Sequence, residues 1–286
     1  MSMPPPSPLA ALRDVLIGTV VEDEHDPVSP AIGYGLSLAE AANAHVTIQS
    51  SSWCLFGTDT WLGGASDDGL TVIDRRLDAL ARAYAETAAG AAAQAGLVCT
   101  RETPRLPYPE VVHRLAAEAR LHDLTVLDLD PRGEILSLET IEAALMTSGR
   151  PVLAVPHTHP AFAGRRILLA WDGSLQAARA ASEAMPLLRA AQAVEIVSVG
   201  DADDLLATVP GAEIAPRLAR HGVAVTLSDL PQVGSIADTL RGHAGLFRAD
   251  LMVLGAYRHS RVREFVFGGV TRSLLMDAPV PLFLAH

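Results

Sequence analysis

Short apolar segments alternate with longer amphipathic ones along this chain, and the whole alternation runs through twice. Nothing else in the sequence narrows the fold as far. Strand-length apolar runs joined by helix-length crossovers pair in parallel, and a parallel sheet has to be covered on both faces. In the first half the expected strands are Leu12–Val20, His45–Trp53, Leu97–Glu102, Leu124–Leu129 and Pro151–Pro156. Helices are expected between them at Pro30–Ala44, Leu70–Ala95, Pro109–Leu121 and Ile135–Ser148, with Ser29 a candidate cap ahead of Pro30. In the second half the strands are Arg166–Trp171, Val194–Val199, Val223–Leu227, Leu251–Ala256 and Pro281–Ala285. Their helices run from a Ser174 cap to Leu188, over Gly211–His221, from a Ser235 cap to Phe247, and over Gly269–Met276. The expectation is an α/β protein made of two tandem Rossmann-like units, each a five-stranded parallel sheet flanked by helices.

Two stretches suggest that one half is a copy of the other. Arg13–Val20 (RDVLIGTV) aligns with Arg165–Asp172 (RRILLAWD), and Ser148–His157 (SGRPVLAVPH) aligns with Met276–His286 (MDAPVPLFLAH). The joint falls in the Pro-rich stretch Pro156–Ala161, which divides the chain into residues 1–158 and 159–286. The last strands of the two halves, Val152–Val155 and Val280–Leu284, are apolar edges that need covering. They can pair with each other inside one chain or serve a homodimer.

Charge is distributed unevenly between the halves. The formal net charge is −11, and all of it lies before His159; the remainder carries 12 acidic residues against 12 Arg. Neither half has the basic balance of a general nucleic-acid binder. All 22 basic residues are Arg, so a Schiff-base lysine and a Walker lysine are excluded, whereas Arg forks suit phosphate. Two Cys, Cys54 and Cys99, cannot make a disulfide scaffold, and both read as small buried hydrophobes. No apolar run approaches the roughly 20 residues that span a bilayer, so the expectation is a soluble cytoplasmic protein without a membrane partner.

The most informative stretch is Ala249–His286. A strand ends at Gly255, a long loop carrying Arg258, His259, Arg261 and Arg263 runs to Gly268, and a helix begins near Gly269-Val270-Thr271, followed by Arg272. Ligands of open α/β sheets bind beyond the carboxyl ends of the strands, and a helix start there presents unpaired N–H groups to anions. No G-x-G-x-x-G follows the first strand of either half, which argues against flavin or NAD chemistry.

This stretch resembles the universal stress protein family, whose nucleotide-binding members carry Gly, two residues, Gly, nine residues, then Gly and Ser or Thr. Gly255 matches the first position and Gly268 the third, with their spacing intact. Arg258 stands at the second Gly, and Gly269 at the Ser/Thr, with Thr271 nearby. The resemblance is concentrated in Ala249–His286, continues at Arg166–Ala178 and thins out in the first half. It implies a tandem pair of adenine nucleotide α-hydrolase-like domains and adenine nucleotide binding, ATP with Mg if bound, in residues 159–286. Asp172 would lie beside adenine or ribose, Ala170 and Trp171 would shape that edge, and Val197–Val199 would line the base. Arg258 would either reach a phosphate or fill its place, and His259 would stand beside the loop. If Arg258 fills the site, the resemblance implies a non-binding stress protein that works through an unknown protein partner.

The first half departs further from that pattern. Only Gly133 lies in the corresponding loop, no Asp aligns with Asp172, and Glu22, Asp23, Glu24 and Asp26 would repel a triphosphate. Residues 1–158 therefore read as a degenerate, structural partner. No G-x-S-x-G elbow and no zinc-site spacing occur, and His157-x-His159 sits in the linker. Asp172-Gly173-Ser174-Leu175 lacks the SGGxDS-like loop of the related ligases. No catalytic residue is assigned, and slow ATP hydrolysis is the most that is expected.

Overall fold

The computed structural model describes residues 7–21, 29–54, 68–129, 135–200, 211–256 and 269–286. After a 3₁₀ turn at Pro8–Ala11, the first half runs β1 (Asp14–Val21), α1 (Pro30–Ala42), β2 (His45–Cys54), α2 (Asp68–Gln94), β3 (Cys99–Glu102), β4 (Arg105–Pro107), α3 (Glu110–Ala119), β5 (Leu124–Leu129), α4 (Ile135–Ser148) and β6 (Val152–Pro156). The second half runs β7 (Arg166–Ala170), α5 (Leu175–Glu183), α6 (Met185–Ala190), β8 (Ala193–Gly200), α7 (Ala215–Arg220), β9 (Val225–Pro231), α8 (Ile236–Phe247), β10 (Leu251–Gly255), α9 (Val270–Met276) and β11 (Leu282–Ala285).

Two separate five-stranded sheets are not what forms. The described strands make one eleven-stranded sheet in the order β3-β2-β1-β5-β6-β11-β10-β7-β8-β9, with β4 pairing to the far end of β2. The reason lies at the joint. β6 and β11 are buried along their whole length and apolar, so leaving either as an edge would strand its backbone N–H and C=O groups away from water. They pair antiparallel instead, with Leu282 opposite Ala154, Phe283 opposite Leu153 and Leu284 opposite Val152. Every other pairing in the sheet is parallel. The strand order is thus mirrored about this ladder, and the strands of the two halves point their carboxyl ends in opposite directions.

Side-chain alternation sorts the helices onto two faces. Val15, Ile17, Val46, Ile48, Ile167, Leu169 and Phe283 pack with α1, α2, α5, α6 and α7 in one apolar cluster. Leu16, Leu127, Leu168, Met252, Leu254 and Leu284 pack with α3, α4, α8 and α9 in the other. Each cluster contains residues of both halves, so the core is continuous across the joint.

Local departures from the expected elements have identifiable causes. The helix read as Ser174 to Leu188 is two helices, because Pro186 has no N–H to continue the ladder and the chain breaks at Ala184. The expected strand Leu97–Glu102 forms as β3, and beyond Thr103-Pro104 a short further strand, β4, which was not expected, pairs with β2. Ser174 and Ser235 cap their helices as expected, through Ala177 N at 3.1 Å and Asp238 N at 3.1 Å. Ser29 sits at the α1 cap position but makes no capping hydrogen bond. The carboxylate of Asp128, at the end of β5, takes that place by accepting Ala31 N–H at 2.8 Å.

Candidate functional site at the carboxyl ends of β7, β8 and β10

β7 lies between β8 and β10, so the strand order reverses beside it, and its carboxyl end opens on the position where α/β sheets receive ligands. Ala170 closes β7, Val199 stands near the end of β8, and Val270 opens α9. All three are half-buried and pack against the same apolar cluster, on the α8–α9 face. Leu230, the register partner of Val199 on β9, continues this wall. The sequence reading did not single out Leu230, although its alternation with Ser228 is legible.

Asp172 projects into solvent just past β7, where its Oδ1 accepts the Ser174 N–H at 3.0 Å in a tight turn. That turn positions Ser174 to cap α5. Trp171 faces the other way. Its side chain belongs to the cluster with Ile167 and Leu169, on the α5–α7 face, and its indole N–H donates to Glu213 Oε1 at 2.7 Å. This bond, with the backbone N–H groups of Glu213 and Gly211, holds the Glu213 carboxyl below the ordinary glutamate range. Trp171 is therefore a fixed part of the wall behind the cleft, on the opposite side of the sheet from Ala170 and Val199.

The two described glycines differ in what they permit. A Cβ on Gly255 would lie 2.4 Å from the backbone N of Ala177 and 2.5 Å from the carbonyl carbon of Gln176. Glycine here lets α5 pack directly on β10. A Cβ on Gly269 would meet nothing within 4 Å, and its φ of −63° suits any residue. Gly269 caps α9 without a side-chain bond and leaves open space beside the helix start. Thr271 is buried in the first turn of α9. Arg258, His259 and Gly268 lie outside the described residues, as do Gly133 and the acidic run Glu22–Asp26.

Two further residues fix this end of the sheet. Arg241 on α8 donates to the Asp277 carbonyl at 2.8 Å and to Ser273 Oγ at 2.9 Å, and pairs with Asp277 Oδ2 at 3.3 Å, which clamps α9 to α8. His286 brings Nδ1 to 3.0 Å from the carbonyl oxygen of Ala256, at the residue where β10 gives way to the loop. Among the described residues no group of three His, Cys, Asp or Glu is placed to hold a metal, and no helix is long and apolar enough to cross a membrane.

Among curated proteins, none matches this chain. A universal stress protein from Archaeoglobus fulgidus DSM 4304 shares the fold over 95% of both chains, at 16% identity and a TM-score of 0.68. A functionally unknown protein from Pseudomonas aeruginosa PAO1 matches 97% of this chain and 93% of its own length, at 15% identity and a TM-score of 0.55. Residues 164–286 match the universal stress protein family in sequence. Residues 164–286 are thus similar in sequence to the universal stress protein family, and the chain as a whole carries the fold of a solved universal stress protein.

Proposed function

We propose that residues 159–286 bind an adenine nucleotide, ATP with its Mg²⁺, and that the chain acts in stress response by changing its contacts with a protein partner when that site fills. The observation that supports this reading is the place of Asp172 just past β7 at the switch point of the sheet, with half-buried Ala170 and Val199 near the ends of the paired strands β7 and β8 and open space beside Gly269. The wall suits a base, Asp172 suits ribose hydroxyls, and the N–H groups at Gly269 and Val270 suit a phosphate. Residues 1–158 form the supporting half. Asp128 already places a carboxylate at the start of α1 there, which disfavours a second anion.

Isothermal titration calorimetry of the full chain with ATP tests this reading. One site per chain, weakened strongly by Asp172→Ala and by Gly268→Val, supports it. No heat with ATP, ADP or AMP overturns it. A second reading is favoured by the bare cap at Gly269 and the Arg at position 258: a stress protein whose phosphate place is filled by its own side chain. Under that reading Arg258→Gly, combined with Gly269→Ser, creates ATP affinity that the natural chain lacks.

A further inference from the structure

A hydroxyl, an imidazole and a carboxylate stand in line at the amino ends of β3, β2 and β1, in the half that the proposed nucleotide site leaves unused. His45 Nε2 lies 3.0 Å from Thr100 Oγ1, and His45 Nδ1 lies 3.5 Å from Asp14 Oδ1. Register fixes the line. Asp14 is opposite His45 on the β1–β2 ladder, and Thr100 is opposite Thr47, two residues further along β2. Thr100 is exposed, and His45 and Asp14 are half-buried, so all three can be reached from solvent.

The tautomer follows from the donors and acceptors. A carboxylate only accepts, so Nδ1 carries the imidazole proton toward Asp14, and Nε2 is left to accept from the Thr100 hydroxyl. An imidazole that receives a hydroxyl proton while a carboxylate orients it is the arrangement that activates Ser and Thr as nucleophiles. The strand edge adds a further donor. Val46 N–H donates to the Val98 carbonyl at 3.0 Å, so Val98 and Thr100 turn their backbone groups to β2, and Cys99 and Arg101 turn theirs outward. Among the described strands β3 pairs only with β2, which leaves the Arg101 N–H, next to Thr100, free to receive an oxyanion. The fold does not require this line. The second half builds the same ladders with Arg166 opposite Ala193, and there Thr226 bonds back to the Val194 carbonyl at 3.5 Å.

We infer that Thr100 accepts an acyl group from a small uncharged ester, with His45 as the base and Asp14 as the residue that positions it. Charge decides the donor class. The Arg101 guanidinium is already paired with Glu86, and this half carries the whole net charge of −11, which disfavours an anionic donor. Val98, exposed and two residues before Thr100, offers an apolar contact to the acyl chain. In the step, Thr100 Oγ1 adds to the ester carbonyl as its proton passes to His45 Nε2. The bond from the carbonyl carbon to the leaving alcohol then breaks, and the alcohol departs with the proton from His45. The acyl group remains as an ester on Thr100, and no oxidant or reductant is consumed.

The test exposes the full chain to p-nitrophenyl acetate, follows nitrophenolate release and locates the acetyl group by peptide mass mapping. One acetyl group on Thr100 is expected, absent in Thr100→Val and retained in Thr100→Ser. His45→Gln should slow this labelling roughly hundred-fold. Asp14→Ala should slow it roughly ten-fold or more, and Asp14→Glu should recover it, which a merely structural role would not give. Urea midpoints of all the variants should stay close to that of the natural chain, because the side chains changed are not core residues. Acetyl groups found elsewhere but not on Thr100, or labelling of Thr100 indifferent to His45→Gln or to Asp14→Ala, overturns the inference.

Discussion

Asp123 and Asp250 occupy equivalent places in the two halves, each carboxylate accepting the backbone N–H groups at the start of its half's first strand. Asp123 Oδ2 accepts from Arg13 N at 2.8 Å and Asp14 N at 3.1 Å. Asp250 accepts from Arg165 N and Arg166 N, each at 3.0 Å. The backbone N–H of each Asp also returns a bond, to the carbonyl of Asp14 at 2.9 Å and of Arg166 at 2.9 Å. A strand that begins at a sheet's end has no ladder partner for its first N–H groups, and the aspartate supplies one. The repetition of this clamp is the most specific structural sign that the halves share one plan.

Each clamp should matter about equally. Asp123→Ala and Asp250→Ala each remove charge-assisted acceptors from partly exposed N–H groups and should cost about 1–2 kcal/mol. Asn at either place retains an acceptor and should cost less. The two sites lie at opposite ends of the sheet, on strands three ladder steps or roughly 14 Å apart across it, so the double variant should lose the sum within about 0.5 kcal/mol. Urea denaturation reads all of these, and a silent Asp250→Ala would break the equivalence.

Asp128 and Gly255 are also equivalent, each the fifth residue of its strand, yet they meet the overlying helix in opposite ways. Asp128 reaches α1 with a carboxylate, whereas Gly255 lets the backbone of α5 come down onto β10. Asp128→Ala should cost about 1 kcal/mol as the loss of a charged helix cap, with Asn recovering most of it. Gly255→Ala should cost more, about 1–3 kcal/mol, because the atoms in the way are backbone and cannot rotate aside. It should also shift α5, and with it Asp172. Denaturant midpoints rank these variants, and a neutral Gly255→Ala would show that α5 is not held as closely as the packing implies.

Much of this architecture is legible in the residues, and the exceptions are long-range. The caps at Ser174 and Ser235 can be read because their partners lie three residues on. The cap of α1 cannot, because the carboxylate that displaces Ser29 comes from 97 positions away. β4 hides because three residues next to prolines show no alternation. Trp171 was readable: counting by two from Ile167 and Leu169 places it on the α5–α7 face, although its neighbour Asp172 draws it toward the cleft. The joining of the sheets was half legible, since the apolar edges are evident but their mutual pairing depends on how the linker turns the second half. Arg258, His259 and Gly268 lie beyond the described residues, so the phosphate side of the site rests on the sequence pattern alone.

The bond between Trp171 and Glu213, on the opposite side of the sheet from Ala170 and Val199, gives that face a pH dependence whose sign is fixed. The Glu213 carboxyl is depressed chiefly by the indole N–H, so its ionised form is bound more tightly in the folded chain than in the unfolded one. Its contribution is fully present above the ordinary glutamate value of 4.5 and is lost as pH falls through the lower, folded value. Glu213→Gln should therefore lose less stability than the natural chain when pH is lowered through that range, while differing little in the shape of its profile above it. Trp171→Phe should flatten the same acid limb only in part, because the N–H groups of Glu213 and Gly211 still face the carboxylate. Urea midpoints measured across the acid range for all three chains check this. If Glu213→Gln follows the natural chain throughout, the indole bond does not hold the carboxylate in solution, and Trp171 is then kept in place by burial against α5 and α7 alone.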